Sequence, residues 1–521
     1  MERLIYPVST ANFKKIRENG NVYVDKTRYV YELVSKPGYY FLSRPRRFGK
    51  SLLLSTIESF YNAERHLFEG LAIDSLMPQA WERHPVIHLD MSTGVFKEKD
   101  SLALYLSAQV MQWERSLGID EPLPDLSVRF QRVIRTAYEK SGRKVVVLVD
   151  EYDSPLSSVI DRKELFDVYR EELHGFYSVL KAADRYMEFC MLTGVTRFGK
   201  VSVFSGLNNL QDISIVDRFA GICGITKAEL LEYFKQGVEE LAEANRWSPE
   251  EALEKLRYNY DGYHFSGALL DVYNPFSVLN ALSNSDIRDY WCESGVPTLL
   301  AKTLYDLDYD FEEMNGCRAY LGELGNLSSY KMNPVPLFYQ CGYLSIRAYE
   351  KEDDEAIYTL GFPNREVERG IMRNILEYYT EDTNDTKMVV ADLRQSLRKG
   401  EPERFVKIMK AYLSGIPGKI RTRIDKFENY YHTVFYCISS LIGLNLDVEF
   451  GTARGFIDMQ VKTPDYIYIM EFKVNGTASD AICQIEEKGY ADQYANDSRR
   501  LFKVGIGFSK KTHTVESYVI K

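Results

Sequence analysis

Short, uninterrupted apolar runs dominate the first part of the chain. Tyr39-Tyr40-Phe41-Leu42, Pro85-Val86-Ile87-His88-Leu89, Val145-Val146-Val147-Leu148-Val149 and Phe189-Cys190-Met191-Leu192 have the length and residue types of buried strands. Longer stretches with apolar positions at helical spacing separate them, such as Ser51 to Tyr61 and Leu102 to Leu117. Apolar strands alternating with amphipathic helices predict a parallel sheet covered on both faces. This pattern holds over residues 1–225.

After residue 226 the pattern becomes mostly helical. Thr226-Lys227-Ala228-Glu229 has the form of a capping box at a helix start. Aromatic turns recur, at Tyr260-Asp261-Gly262-Tyr263 and Tyr273-Asn274-Pro275-Phe276. The acidic run Glu350 to Glu355 reads as a solvated hairpin tip. A linker from about 376, with Glu381, Asp382, Asn384 and Asp385, leads to a last segment. There the pattern predicts a helix over Lys426–Ile442 and strands over Leu446–Phe450, Gly455–Val461 and Tyr466–Phe472. A helix over Asp480–Asn496 and a strand over Leu501–Phe508 follow. The expected domains are 1–225, 226–375 and 376–521.

Length and composition narrow the class. A chain of 521 residues exceeds one hydrophobic core. Its 38 Tyr and 27 Phe argue against disorder, since such side chains need surfaces to pack on. The N-terminus lacks a basic-then-apolar leader, and no window reaches the roughly 18 apolar residues of a membrane span. The seven cysteines form no Cys-x-x-Cys pair, so they read as buried thiols of a reducing, cytoplasmic compartment. The net charge of −10 disfavours general coating of nucleic acid. From residue 380 onward, however, 21 Lys+Arg face 19 Asp+Glu, which leaves room for such a partner at the C-terminal end.

The first candidate site follows the strand at Tyr39. Arg44-Pro45-Arg46-Arg47-Phe48-Gly49-Lys50-Ser51 links that strand to an apolar helix. A strand, a tight loop and a helix N-terminus present backbone N–H groups to a phosphate. Gly49 permits close backbone approach, Lys50 reaches the β- and γ-phosphates, and Ser51 holds Mg²⁺ through its hydroxyl. The first glycine of the usual phosphate-loop pattern is Arg44 here, and Gly-Lys-Ser alone is a common tripeptide. The strand at Val145 ends in Asp150-Glu151, at the edge of a parallel sheet where ligands bind. Asp150 would hold Mg²⁺, and Glu151 would orient or deprotonate the attacking water. At the end of the strand at Phe189, Thr193 and Arg197 either sense a γ-phosphate or, for Arg197, pair with an acidic surface residue.

The second candidate site lies near the C-terminus. Asp458 sits on one expected strand, and Glu471-Phe472-Lys473 ends the next. Residues two apart on a strand share a face, so Glu471 and Lys473 point the same way. A hairpin can bring Asp458 beside Glu471. Two carboxylates of this kind bind Mg²⁺ or Mn²⁺ through oxygen, and the metal activates water toward a phosphodiester. Lys473 would orient that water or neutralise developing charge. Glu428, on the preceding helix, is a further metal ligand candidate. Gln484 and Lys488 fall at i and i+4 on one helical face as accessory residues. Asp…Glu-x-Lys alone is a weak pattern that fits an ordinary amphipathic hairpin, with Lys paired to Glu on the surface, better than a metal site.

Taken with Tyr23-Val24-Asp25-Lys26-Thr27 and Tyr273-Asn274-Pro275-Phe276-Ser277, these strings resemble the AAA-ATPase-like proteins that carry a C-terminal PD-(D/E)XK nuclease-type domain. The resemblance covers nearly the whole chain. Arg-Pro-Arg-Arg-Phe-Gly-Lys-Ser is its most specific string, and Arg44 in place of glycine is that family's habit. It implies an α/β P-loop NTPase sheet, a helical or winged-helix-like middle and a restriction-endonuclease-like α/β end. It implies ATP at Arg46, Arg47, Phe48, Gly49, Lys50 and Ser51, with residues 23–27 close by. It also gives weight to Glu428, Asp458, Glu471, Lys473 and Gln484, which keep the family's order. Phe456 departs from the arginine that often follows that glycine, and Arg454 is the nearby alternative. The resulting expectation is an ATP-hydrolysing protein whose nucleotide state controls a Mg²⁺- or Mn²⁺-dependent nuclease acting on DNA or RNA. The rival is a STAND-like signalling switch whose last domain binds nucleic acid or a protein without cutting. No arginine acting in trans stands out, so the sequence leaves assembly into oligomers open.

Overall fold

A computed structural model of the chain describes residues 4–121, 123–197, 203–204, 207–293, 298–307, 309, 311–325, 333–352, 355–380, 386–415, 427–443, 446–452, 455–474, 476–509 and 514–521. Within these ranges the side chains of 298, 312, 352, 427–432, 435, 446–452, 455–458 and 474 are not described. By its contacts the chain divides into two units. The first holds Met1–Trp291 and Asn315–Val367, and the second holds Cys292–Met314 and Glu368–Lys521.

The first unit is built on the expected parallel sheet. Its strands are β1 (Tyr39–Ser43), β2 (Val86–Asp90), β3 (Val145–Asp150), β4 (Met187–Gly194) and β5 (Leu210–Asp212), in the order β2-β3-β4-β1-β5. Every neighbouring pair is parallel. β1 and β3 are buried along their whole length, which explains their continuous apolar runs. The short β5 gave no such run and was not anticipated. The helix Leu126–Ser141 shows how the sheet is covered. Asp125 accepts a hydrogen bond from Val128 N at its start, and Gly142, at φ 68°, ends it. Its buried Phe130, Val133, Ile134 and Ala137 form a stripe at helical spacing. Phe130 stacks on Phe176 of the helix Lys163–Ala182, with ring centroids 4.4 Å apart. Burying each such side chain stabilises the fold by about 1.5–3 kcal/mol.

The remainder of the first unit is less purely helical than its sequence suggests. The pair β6 (Ile225–Thr226) and β7 (Val272–Tyr273) is antiparallel. A second, three-stranded antiparallel sheet has the order β8 (Arg318–Tyr320), β10 (Glu355–Gly361), β9 (Ser345–Glu352). Its edge strand β8 has only three residues, too few to show alternation. The capping box at Thr226 and Glu229 forms as expected. The acidic run lies at the ends of β9 and β10, and residues 353–354 are outside the described residues.

In the second unit, β11 (Leu446–Thr452), β12 (Gly455–Lys462), β13 (Tyr466–Val474), β14 (Arg500–Ser509) and β15 (Thr514–Ile520) form a mixed sheet in chain order. Only β13 and β14 pair in parallel. That connection needs a crossover, supplied by the helix Ala478–Glu487. The helix begins at a Thr477–Asp480 capping box and stops well short of the expected Asn496. Gly489, at φ 57°, breaks it, and Asp492–Tyr494 makes a single 3-10 turn. The expected linker at 376 also differs, because the helix Arg365–Thr380 runs through it. Residues 381–385 lie outside the described residues. Two further helices, Thr386–Arg398 and Pro402–Ser414, precede the helix Phe427–Ile442. Among the described residues, no helix is long and apolar enough to cross a membrane. All seven cysteines are free, and Cys483, unlike the expected buried thiols, is exposed.

Candidate functional site

In the first unit, Arg44 to Gly49 connects β1 to the helix Lys50–Tyr61. Gly49 precedes the helix at φ 98°, a conformation glycine adopts without strain. A Cβ at Gly49 would meet nothing within 4 Å, so the loop's face is open there. Lys50 is buried, and its Nζ donates to the carbonyls of Arg44 at 3.1 Å and Pro45 at 3.2 Å. The same Nζ lies 3.1 Å from Glu151 Oε1. Ser51 follows on the first turn and is half-buried.

The acidic side of the site is stitched from two strands. Asp150 ends β3, and Thr193, on the adjoining β4, donates its hydroxyl to Asp150 Oδ1 at 2.6 Å. Asp153 accepts from Val195 N at 3.1 Å and Thr196 N at 2.7 Å. Glu151 sits between them in a left-handed conformation at φ 49°, uncommon for a residue with a side chain. Burial holds its carboxyl above the usual glutamate range, against the pull of Lys50. Arg197, buried just beyond the end of β4, stands near an acidic side chain. Its backbone N–H bonds Gln340 Oε1 at 2.7 Å, and its guanidinium stands 4.0 Å from Asp212 Oδ2 on β5.

An apolar cavity of about 90 Å³ adjoins Gly49. Val22, Val24, Phe48, Leu52, Phe234 and Leu279 are among its walls. Lys26 reaches it too, but its Nζ is held by Glu229 at 2.6 Å and Gly221 O at 2.8 Å. Asp25 Oδ1 accepts from Thr27 N, and its Oδ2 accepts from Ala72 N. The string Tyr23 to Thr27 is thereby locked as one wall.

In the second unit, strand alternation decides the arrangement. Ile467, Ile469, Glu471 and Lys473 share one face of β13. Ile469 packs with Ile482 and Ile485 of the crossover helix, so Glu471 and Lys473 meet that helix as well. Glu471 is only 1% exposed. Its Oε1 accepts from Gln484 Nε2 and lies 3.4 Å from Lys473 Nζ, which also donates to Gln484 Oε1. Lys488 caps the end of that helix and is exposed. Met459 of β12 pairs with Met470 of β13, and Asp458 and Glu471 adjoin that pair on their two strands. The side chains of Asp458, Phe456 and Glu428 are outside the described residues, and so is all of Arg454. Among the described residues no group of three or more His, Cys, Asp or Glu side chains is arranged to hold a metal ion.

Residues 7–204 match the family described as predicted AAA-ATPase, and residues 426–518 match the PD-(D/E)XK nuclease superfamily. A relative from Azotobacter chroococcum mcd 1, described as an uncharacterized protein in the vnfD 5' region, is 33% identical over 534 residues. That alignment spans 100% of this chain and 99% of the relative. The chain belongs to the AAA-ATPase-like proteins with a C-terminal PD-(D/E)XK nuclease superfamily domain. Among solved structures, the ORC2 protein of Aeropyrum pernix in ADPNP–ADP complexes aligns at 12% identity with a TM-score of 0.26. It covers 72% of this chain and 97% of that one.

The residues of this AAA-ATPase-like protein fit a nucleotide with its metal. Gly49 and Leu52, at the N-terminus of the Lys50–Tyr61 helix, line the apolar cavity. The Ser51 hydroxyl and the Asp150 carboxylate supply the oxygen donors a hard cation prefers. In the nuclease superfamily domain, Glu471 offers a buried carboxylate of the same kind.

Aromatic side chains from the 260–276 region pack on the phosphate loop itself. Arg44 lies over the Phe265 ring at 4.2 Å, and Arg47 over Phe276 at 3.9 Å. Phe48 meets Tyr263 and Phe265 edge-on at 4.7 and 5.5 Å. A Cβ at Gly342 would strike Pro45 at 2.6 Å. The Trp291 indole donates to Arg46 O at 3.1 Å. Only the recurring aromatic turns at 260–263 and 273–276 hinted at this in the sequence. Arg44 itself is fully buried. It donates to the carbonyls of Ser43 at 2.9 Å, Ser214 at 2.7 Å and Phe219 at 3.1 Å.

Proposed function

We propose that this protein is a cytoplasmic, Mg²⁺-dependent ATPase whose nucleotide state controls a Mg²⁺- or Mn²⁺-dependent nuclease domain acting on DNA or RNA. The observation that carries the first half is the meeting of Lys50 with Glu151, 3.1 Å apart, at the start of the helix that follows the open Gly49. Lys50 and the first amides of its helix bind the β- and γ-phosphates. Arg46, Arg47 and Phe48 shape the loop around them. Ser51 and Asp150 hold the metal, which neutralises phosphate charge when bound. Glu151, released from Lys50, orients the attacking water and takes its proton. Arg197 reads the γ-phosphate in competition with Asp212.

For the second half, support comes from Glu471 and Lys473 sharing a face with Gln484 across from them. Glu471, Asp458 and Glu428 hold the metal, Lys473 orients the water and stabilises charge on the phosphodiester, and Gln484 and Lys488 assist. The domain limits 1–225, 226–375 and 376–521 serve as the working division, and assembly into oligomers is compatible with the family.

The test is a titration of Mg²⁺ and Mn²⁺ with plasmid DNA, single-stranded DNA and RNA, with and without ATP. Metal-dependent cutting that changes with nucleotide supports the reading. Metal binding without cutting in any nucleotide state replaces it with the signalling switch.

A further inference from the structure

The chain passes between its two units after Trp291, after Met314 and after Val367. Inside the first unit, a single carboxylate joins two of these points. Glu366, 1% exposed, accepts from Trp291 N at 2.6 Å through Oε1 and from the Ser277 hydroxyl at 2.7 Å through Oε2. The Trp291 side chain runs the other way, donating from Nε1 to Arg46 O at 3.1 Å. Its ring lies 5.1 Å from that of Tyr343, the neighbour of Gly342, which closes on Pro45. The phosphate loop and two exits of the chain are thus connected through Arg46, Trp291 and Glu366.

The bond to Arg46 matters because of peptide planarity. The carbonyl of Arg46 and the N–H of Arg47 belong to one rigid plane. Fixing the carbonyl fixes the direction of the next N–H, in a loop whose amides are donors to phosphate. Arg47 itself is at φ 66°, so this plane is held in a conformation that an unrestrained arginine seldom keeps. A phosphate that turns the plane also pulls on the indole.

We infer that Trp291 is a positioning residue for nucleotide binding, setting the Arg46–Arg47 peptide and carrying its movement through Glu366 to the chain at both exits. This rests on the reading of the first unit as an ATP site. The test uses the full-length protein and Trp291→Phe, which keeps a ring and removes the donor. The chain has four tryptophans, so nucleotide-induced tryptophan fluorescence can be followed. The expected result is a rise of about 3- to 10-fold in KM for ATP, the effect of one neutral hydrogen bond. The kcat should stay within about twofold, and most of the fluorescence change on adding ATP should vanish. A wild-type KM with an undiminished fluorescence change would overturn the inference. Should the variant not fold, hydrogen exchange of the wild-type protein decides. ATP should alter protection of peptides spanning residues 277–293 and 360–370, and unchanged protection there overturns the proposal. Failure of the underlying reading looks different: ATP then binds Lys50→Ala as it binds the wild type.

Discussion

Lys50 and Lys473 each stand beside a glutamate, at 3.1 Å from Glu151 and 3.4 Å from Glu471. The two pairs are made in different ways. Lys473 and Glu471 are two residues apart on β13, and the alternation of one strand puts them together, with Gln484 closing over them. Lys50 and Glu151 are a hundred residues apart in sequence. Their meeting requires β1, β3 and the intervening β4, a left-handed Glu151, and a loop held by aromatic residues from far along the chain. A pair written into one strand tolerates change elsewhere. A pair assembled from many segments is adjustable, because many segments can move it.

The sharpest way to break the comparison is to remove the second pair. Asp458→Ala, Glu471→Ala and Lys473→Ala are each expected to lower metal-dependent cleavage by at least a hundredfold, as loss of direct charge stabilisation does. ATP hydrolysis, measured on the same preparations, should be largely unaffected. Calorimetric Mn²⁺ binding should weaken in the two carboxylate variants and hold in Lys473→Ala, because a cation is no metal ligand. Equal loss of Mn²⁺ in all three would assign Lys473 to the metal site.

Lys50→Ala should weaken ATP binding by about a hundredfold, as loss of charge-assisted phosphate contacts implies. A folded variant with unchanged affinity would make Lys50 a purely structural cation. Glu151→Gln should bind ATP normally and turn it over about a hundredfold more slowly. It also sharpens the electrostatic side. Because burial raises the Glu151 carboxyl, it takes up its proton at a higher pH than a free glutamate does. The base form is therefore lost on mild acidification, and kcat should fall with pH in the wild type. That limb of the profile should be missing from Glu151→Gln.

The smallest effect belongs to the residue that only holds others. Gln484→Ala is expected to reduce cleavage by about tenfold, the usual cost of losing a supporting hydrogen bond at a metal site. A loss as large as that of Glu471→Ala would make Gln484 a direct participant.

Legibility followed the same division. β1, β3 and β4 of the first sheet were readable because burial on both faces leaves a nearly unbroken apolar run, whereas β2, at the sheet's edge, alternates buried and half-buried residues. Glu471 and Lys473 were readable because a period of two needs no tertiary information. Two residues of the crossover region show the limit: Gln484 was placed correctly on a helix, but Lys488 lies past its end, because Gly489 terminates it. Trp291 carried no signal at all. Its hydrogen bond joins residues 245 apart in sequence, and nothing local marks such a pair. Arg197 was readable as a polar residue at a strand end, yet its proximity to Asp212 depends on β5, a strand of three residues.

Arg44 replaces the conformational freedom of a glycine with a permanent charge. Burial lowers its pKa to about 10, still well above neutrality, so the guanidinium stays protonated. Its three hydrogen bonds all go to neutral carbonyl oxygens. The phosphate loop therefore has a fixed positive source beneath its backbone in addition to Lys50. Mobile ions screen a buried charge far less than an exposed one. An anion drawn to this loop feels a field that rising salt cannot easily remove.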